Sequence, residues 1–436
     1  MGKQISEREL VLDILLSITR DGEYSHIALR NVLNKYRFLE KKERAFINRV
    51  TEGTLEHMIE LDYIINQFSK VSVNKMKPVI RTIIRSAVYQ LKYMDSVPNS
   101  AVCNEAVKLA AKRGFTNLKG FVNGLLRNID RNLGNISYPD RNDTIAWLSI
   151  TYSMPEWILK QWLSVYDAAV VEEMLIEFLK EKPLSIRFDE HRISRSELIA
   201  KLEEENVTVA EHQTLPYALL ISGYDHLEAL ESFRDGFFQV QDISSMKVAE
   251  MAAPASGDYV IDVCAAPGGK ALHMAEKLAG TGMVEARDLT DSKVALIEEN
   301  ISRSGLLNIR TLRQDAAEYT AEAEKKADIV IADLPCSGLG VLGKKTDLKY
   351  KMNEQMQMQL AELQKQLLSV VKAYVKPGGK LIYSTCTIHR AENEENAAWF
   401  RKRFPDFKLL QEEQWLPGRD GGDGFYIAVF ERKKDE

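Results

Sequence analysis

From Asp258 onward the sequence alternates short apolar runs with helical stretches, and three of its four cysteines fall at the ends of those runs. The candidate strands are Tyr259–Val263, Met283–Arg287, Ile309–Leu312, Ile329–Ala332 and Leu381–Ser384, with Phe425–Phe430 as a last, antiparallel one. Alternation of this kind predicts a doubly wound parallel sheet with helices on both faces. Such sheets gather ligands and chemistry at the carboxyl ends of their strands. The cysteines stand at those ends. Cys264 lies in Asp262-Val263-Cys264-Ala265-Ala266-Pro267-Gly268-Gly269-Lys270, Cys336 in Asp333-Leu334-Pro335-Cys336-Ser337-Gly338, and Cys386 in Ser384-Thr385-Cys386-Thr387. The Met/Gln-rich stretch Met352–Tyr374 reads as a helix ended by Pro377-Gly378-Gly379, with its methionines used for packing.

The loop from Cys264 to Lys270 offers small residues that let a ligand approach the backbone, followed by a helix start with free N–H groups. It is not GxGxxG, which disfavours a nicotinamide site. It is not a P-loop either, because Lys270 is followed by Ala271. Asp288 follows the second strand, where an acid can accept both hydroxyls of a ribose. Asp315 follows the third, where a carboxylate can accept an adenine amino proton. Asp333 follows the fourth. Carboxylates at successive strand ends favour a nucleoside cofactor over a set of surface caps. Cys336 and Cys386 sit away from the glycine loop, where thiols can act as nucleophiles. Cys264, at the loop itself, reads as structural.

The rest of the chain has a different character. Residues 1–140 read as helical: Ser6 and Glu9 form a capping-box pattern, and breaks fall at Asp21-Gly22, Lys77-Pro78, Val97-Pro98-Asn99 and Arg113-Gly114. Cys103 shares a face with Val107 and Ala110 and reads as a buried structural thiol. This third carries 22 basic and 15 acidic residues, net +7, and the remainder 36 and 48, net −12. Basic residues such as Lys35, Arg37, Lys41, Lys42, Arg44, Lys112, Arg113, Lys119, Arg127 and Arg131 suit a polyanion, although a solvated helical face explains them equally well. Residues 141–235 read as a small α/β linker domain, with a strand at Leu184–Phe188 and a helix at Glu197–Glu205. Residues 236–436 form the strand-end domain, entered through a short strand at Phe237–Asp242 and a helix from about Ser244. Four cysteines with no CxxC pair argue against zinc and against a disulfide framework. No apolar run approaches the roughly 20 residues of a membrane span. A cytoplasmic protein without a membrane partner, and a monomer by default, are the expectations.

The three cysteine motifs, in this order, resemble those of the RNA cytosine-5 methyltransferases that use S-adenosylmethionine. The first 140 residues resemble a NusB-like RNA-binding domain, so the likeness spans nearly the whole chain. The resemblance implies an all-α NusB-like domain, a small α/β segment and a C-terminal Rossmann-like class I methyltransferase domain. It implies that Cys264, Ala265, Ala266, Pro267, Gly268, Gly269 and Lys270 surround the methionine part of the cofactor, with Asp288 on the ribose and Asp315 on the adenine. Asp333 would lie between cofactor and base. Cys386 would be the nucleophile, and Cys336 would help expel it. Phe238-Gln239-Val240-Gln241-Asp242 resembles a stretch that precedes the catalytic core in that family. The implied partner is 16S rRNA and the implied target its cytosine 967; free or early-assembly RNA is expected, because an accessory RNA-binding domain helps most before proteins assemble, and no obligate protein partner is expected. The sequence departs from the family pattern at Ala271 and at Leu342–Lys349, where an Arg-rich stretch is usual. A DNA cytosine-5 methyltransferase would use the Pro-Cys thiol as nucleophile and would not need Cys386. A non-catalytic RNA-binding factor would have no use for paired thiols. A tRNA or large-subunit rRNA substrate remains the closest rival.

Overall fold

A computed structural model describes residues 6–36 and 38–434; Arg37, one of the basic residues of the first third, lies outside them. The chain divides into two compact units, residues 1–179 with 342–351, and residues 180–341 with 352–436.

The first unit is all helical. Its core helices are Glu7–Thr19, Lys41–Glu56, Met58–Phe68, Pro78–Tyr93, Asn99–Lys112 and Lys119–Asn132. Their apolar stripes meet around Leu15, Ile47, Ile64, Ile84, Val88, Leu126 and Ile129, all essentially solvent-free, as one-face spacing requires. Pro78 starts its helix at the position where a missing N–H is harmless. Gly53 permits the closest packing here, since a Cβ at that position would overlap the Tyr89 ring. Cys103 is buried in this core. Ser6 is the N-cap of the first helix, but its side chain makes no capping bond; the Glu9 carboxylate pairs instead with Lys112 and Arg113. The chain returns to this unit at Leu342. There Asp347 accepts the Ser25 N–H at 3.0 Å and its hydroxyl at 2.7 Å, and Lys349 Nζ donates to the Glu56 carbonyl at 2.9 Å. The Leu342–Lys349 departure is thus partly spent on helical packing.

The second unit holds both sheets. Its smaller sheet comprises β1 (Leu184–Phe188), β2 (Thr208–Glu211), β3 (Ala218–Ser222) and β4 (Phe238–Val240), antiparallel in the order β2-β3-β1-β4. The helix Arg195–Glu204 begins on a complete capping box of Ser194 and Glu197. The larger sheet comprises β5 (Tyr259–Asp262), β6 (Met283–Asp288), β7 (Ile309–Arg313), β8 (Ala327–Asp333), β9 (Val375–Thr385), β10 (Phe407–Trp415) and β11 (Phe425–Arg432). Its order is β10-β11-β9-β8-β5-β6-β7. The strands from β7 to β9 run parallel, while β10 and β11 are antiparallel additions. The sheet is therefore mixed, and its parallel part reverses direction of winding between β5 and β8.

Two local expectations change. Pro377-Gly378-Gly379 lies inside β9, and the preceding helix stops earlier, at Val371, with a 3-10 turn to Tyr374. That helix buries Gln357, Ala361, Gln364, Leu367, Leu368 and Val371, which leaves Met356 and Met358 exposed rather than packed.

Candidate active site

Five parallel strands deliver the expected groups to one edge. Asp262 ends β5, Asp288 ends β6, Asp315 follows β7, Asp333 ends β8 and Cys386 follows β9. This edge contains the reversal between β5 and β8, the place where an open α/β sheet leaves a crevice.

The loop after β5 is braced by backbone bonds. Ala265 N–H donates to the Arg287 carbonyl at 2.8 Å, and Gly268 N–H to the Ala265 carbonyl at 2.6 Å. Gly268 has φ +111°, where a side chain is strained, and the helix Gly269–Lys277 begins directly after it. Asp288 is buried and reaches back to this loop: one oxygen accepts the Ala266 N–H at 3.0 Å, the other the Leu289 N–H at 2.7 Å, and Lys293 stands 3.0 Å away. Asp315 is half-buried and accepts one backbone bond, from Ala317 at 2.8 Å.

Asp262 belongs to the first cysteine motif, yet sequence reasoning gives it no role of its own. It is buried, and its Oδ2 has no hydrogen-bond partner among the described residues. Burial and the nearby Asp333 push its pKa up to about 7. An ionisable oxygen left bare beside the glycine loop is a ready partner for a cationic group. Cys264 is also pushed up, by burial and by the Asp262 carboxylate, so it stays a neutral thiol.

Asp333 bridges the two halves of the site. It accepts a bond from Lys270 Nζ at 2.6 Å on one oxygen and from the Ser384 hydroxyl at 2.7 Å on the other. Burial alone would depress Lys270, but the pairing with Asp333 outweighs it and raises the ammonium pKa. Lys270 Nζ also lies 5.3 Å from the centre of the Phe425 ring.

The two thiols meet. Cys336 Sγ and Cys386 Sγ are 3.3 Å apart. Bonding to Cys386, with burial second, holds the Cys336 pKa well above its ordinary value, so Cys336 is a neutral thiol facing the other sulfur. The loops that carry them are stitched together: Gly340 N–H donates to the Cys386 carbonyl at 3.0 Å, and Ser337 Oγ lies 2.7 Å from Thr387 Oγ1. A Cβ on Gly340 would overlap the Gly424 carbonyl and press on that of Cys386. Below them Glu392, fully buried, accepts from Ser337 N–H at 2.9 Å and from Ser337 Oγ at 2.6 Å. Sequence reasoning missed Glu392 and Ser337; the second follows Cys336 directly, but nothing local distinguishes the first from its acidic neighbours.

Three family profiles match the chain. The 16S rRNA methyltransferase RsmB/F profile covers residues 249–431, the NusB family residues 5–131, and the RsmF/B-like ferredoxin-like domain residues 154–225. A probable ribosomal RNA small subunit methyltransferase B of Bacillus subtilis is 34% identical over 99% of this chain and 100% of its own length. One from Synechocystis is 31% identical over 97% and 99%. Among solved structures, PH0851 superposes with TM-score 0.83 at 24% identity, covering 99% of this chain and 100% of that one. NSun6 from Pyrococcus horikoshii, solved with SFG, superposes with TM-score 0.59 at 21% identity over 64% and 99%. NusB-like, ferredoxin-like and Rossmann-like parts thus follow one another along this chain, and it belongs to the RsmB/F family of 16S rRNA methyltransferases.

Proposed function

We propose that the protein methylates C5 of one cytosine in 16S rRNA, with S-adenosylmethionine as methyl donor and Cys386 as covalent nucleophile. The observation that carries this reading is the pair of sulfurs 3.3 Å apart, beside the Lys270–Asp333 pair at the same strand ends.

The loop from Cys264 to Lys270, with Asp262, Asp288 and Asp315, would hold the cofactor, whose chemistry is to supply an electrophilic methyl group and depart as a neutral thioether. The chain's own residues must make C5 nucleophilic. Attack of the Cys386 thiolate on C6 forms a C–S bond and shifts the ring electrons toward C5 and N3. Asp333, fixed by Lys270 and Ser384, is assigned to the N3 side of the ring, where donation from the acid, with the Lys270 ammonium beside it, would offset the developing charge. After transfer, a base takes the C5 proton, the C5–H electrons re-form the double bond, and the C6–S bond breaks to return the thiolate. Cys336 faces that sulfur as a neutral thiol and would stabilise it as it leaves, whether or not it also handles the C5 proton. The base must leave its stack to enter, at a cost of a few kcal/mol unless it lies in a loop.

In the same reading residues 1–140 dock RNA through their basic surplus, 141–235 link, and 236–436 catalyse. The protein works as a monomer in the cytoplasm on free or early-assembly 16S rRNA, at position 967 by family likeness. The test is to incubate purified protein with unmodified 16S rRNA and labelled S-adenosylmethionine and to map the modified cytosines. One labelled cytosine is expected. Label on tRNA or 23S rRNA alone would keep the chemistry and discard the substrate.

A further inference from the structure

Beneath the two thiols lies a buried polar network that the mechanism above does not use. Glu392 and Gln364 are fully buried, and Ser337 nearly so. Gln364 Nε2 donates to the Pro335 carbonyl at 2.9 Å and to Glu392 Oε2 at 3.1 Å. Glu392 takes the N–H and hydroxyl of Ser337. The turn Pro335-Cys336-Ser337 is therefore gripped on both sides of the cysteine, by Gln364 before it and by Glu392 after it. Ser337 passes the grip to Thr387, the residue after Cys386. The far side of the network is fixed as well. Tyr383 OH donates to Gln364 Oε1 at 3.0 Å and Asn396 Nδ2 to the same oxygen at 2.9 Å. Burying a carboxylate is costly unless it is paired or fully hydrogen-bonded. Three hydrogen-bond donors converge on this one and lead to the turn that carries Cys336, while His389 Nδ1 stands 3.6 Å from its Oε1.

We infer that Glu392 is a positioning residue for the release step: with Gln364 it holds the Pro335–Ser337 turn so that the Cys336 thiol stays against the Cys386 sulfur while the adduct breaks down. The inference rests on the covalent reading above. Glu392 acts on the sulfurs through Ser337, whose N–H and hydroxyl it holds. Without the carboxylate the turn keeps its fold but loses the bonds that fix the thiol, and a displacement of about 1 Å can cost roughly a hundredfold in rate.

The test compares Glu392→Gln, Ser337→Ala and Cys336→Ala, using 16S rRNA transcript and S-adenosylmethionine. Turnover is measured alongside the protein–RNA adduct that survives denaturing electrophoresis. Glu392→Gln and Ser337→Ala are expected to slow turnover by about tenfold or more while the adduct accumulates, as it does in Cys336→Ala. Adding Glu392→Gln to Cys336→Ala should then change turnover by no more than about twofold, because residues acting as one unit are not additive. Lost turnover without accumulated adduct, unchanged turnover, or full additivity in the double variant would overturn the inference. If Glu392→Gln fails to fold, Ser337→Ala alone decides. If Cys336→Ala itself traps nothing, the covalent reading falls, and the inference falls with it for that separate reason.

Discussion

The two ends of the strand-edge crevice are built on opposite principles. At the thiol end the buried carboxylate is matched by donors: Glu392, Gln364, Ser337, Thr387 and Tyr383 form a network beside Cys336 and Cys386, with Asn396 Oδ1 and His389 Nδ1 at its margin left without a hydrogen bond among the described residues. At the glycine-loop end Asp262 is left with a bare oxygen and a pKa pushed up to about 7. A satisfied network rigidifies, whereas an unpaired buried group is costly until something arrives to pair with it. The thiol end is thus preorganised to hold reacting groups still. In the proposed reading the loop end is completed by the cofactor. Asp333, tied to Lys270 of the loop and Ser384 of the thiol strand, belongs to both.

The largest effect that would break this contrast is at the proposed nucleophile. Cys386→Ala should lower kcat by about a thousandfold or more and leave S-adenosylmethionine binding intact, as judged by calorimetry beside single-turnover kinetics. Retained turnover would make the thiol end mere packing. Asp333→Asn should cost about a hundredfold in kcat, since it removes the charged partner of Lys270 and the group assigned to the base; an effect on cofactor affinity alone would place Asp333 wholly in the loop half.

Asp262 sharpens the comparison through pH. A carboxyl whose folded pKa lies above its unfolded value holds its proton more tightly when folded. Its ionisation therefore costs stability as pH rises from about 4 through 7. A cationic ligand group beside it favours the ionised form, so cofactor affinity should rise by about tenfold between pH 6 and pH 8. Asp262→Asn should bind more weakly and lose that rise, as titration calorimetry at the two pH values would show; an unchanged slope would place the ligand's charge elsewhere. Asp315→Ala should weaken cofactor binding by up to about tenfold, the net value of one hydrogen bond. Lys293→Ala should shift it by no more than about threefold, since its half-exposed ion pair with Asp288 contributes little.

The sequence makes some of these features readable and hides others for physical reasons. The glycine loop, the thiols and the acids at strand ends are contiguous with the strands that place them, so local pattern leads to them. Leu184–Phe188 and Phe425 onward are recovered because their alternation or apolar run is clear. The strand Phe407–Trp415 escapes such a reading: it is a largely exposed edge whose register shifts between Leu409 and Gln411, which spoils any period of two. The strand Thr208–Glu211 is likewise a mostly exposed edge. Glu392 sits in Arg390-Ala391-Glu392-Asn393-Glu394-Glu395, which reads as a solvated acidic run, and only tertiary packing brings Ser337 and Gln364 onto it. Asp262 is visible as a residue of its motif, but its unpaired oxygen is a property of the folded crevice. Ser6 and Glu9 show the reverse, a local capping pattern overridden when Lys112 and Arg113 take the glutamate.

The central claim is that Cys386, held beside Cys336, forms the bond to the base. Its most direct measurement is to trap the protein–RNA adduct of Cys336→Ala, digest both components and locate the nucleotide-bearing peptide by mass spectrometry. A nucleotide mass on Cys386 is the expected result. The same mass on any other residue, or no adduct in a variant that still binds S-adenosylmethionine and RNA, would contradict it.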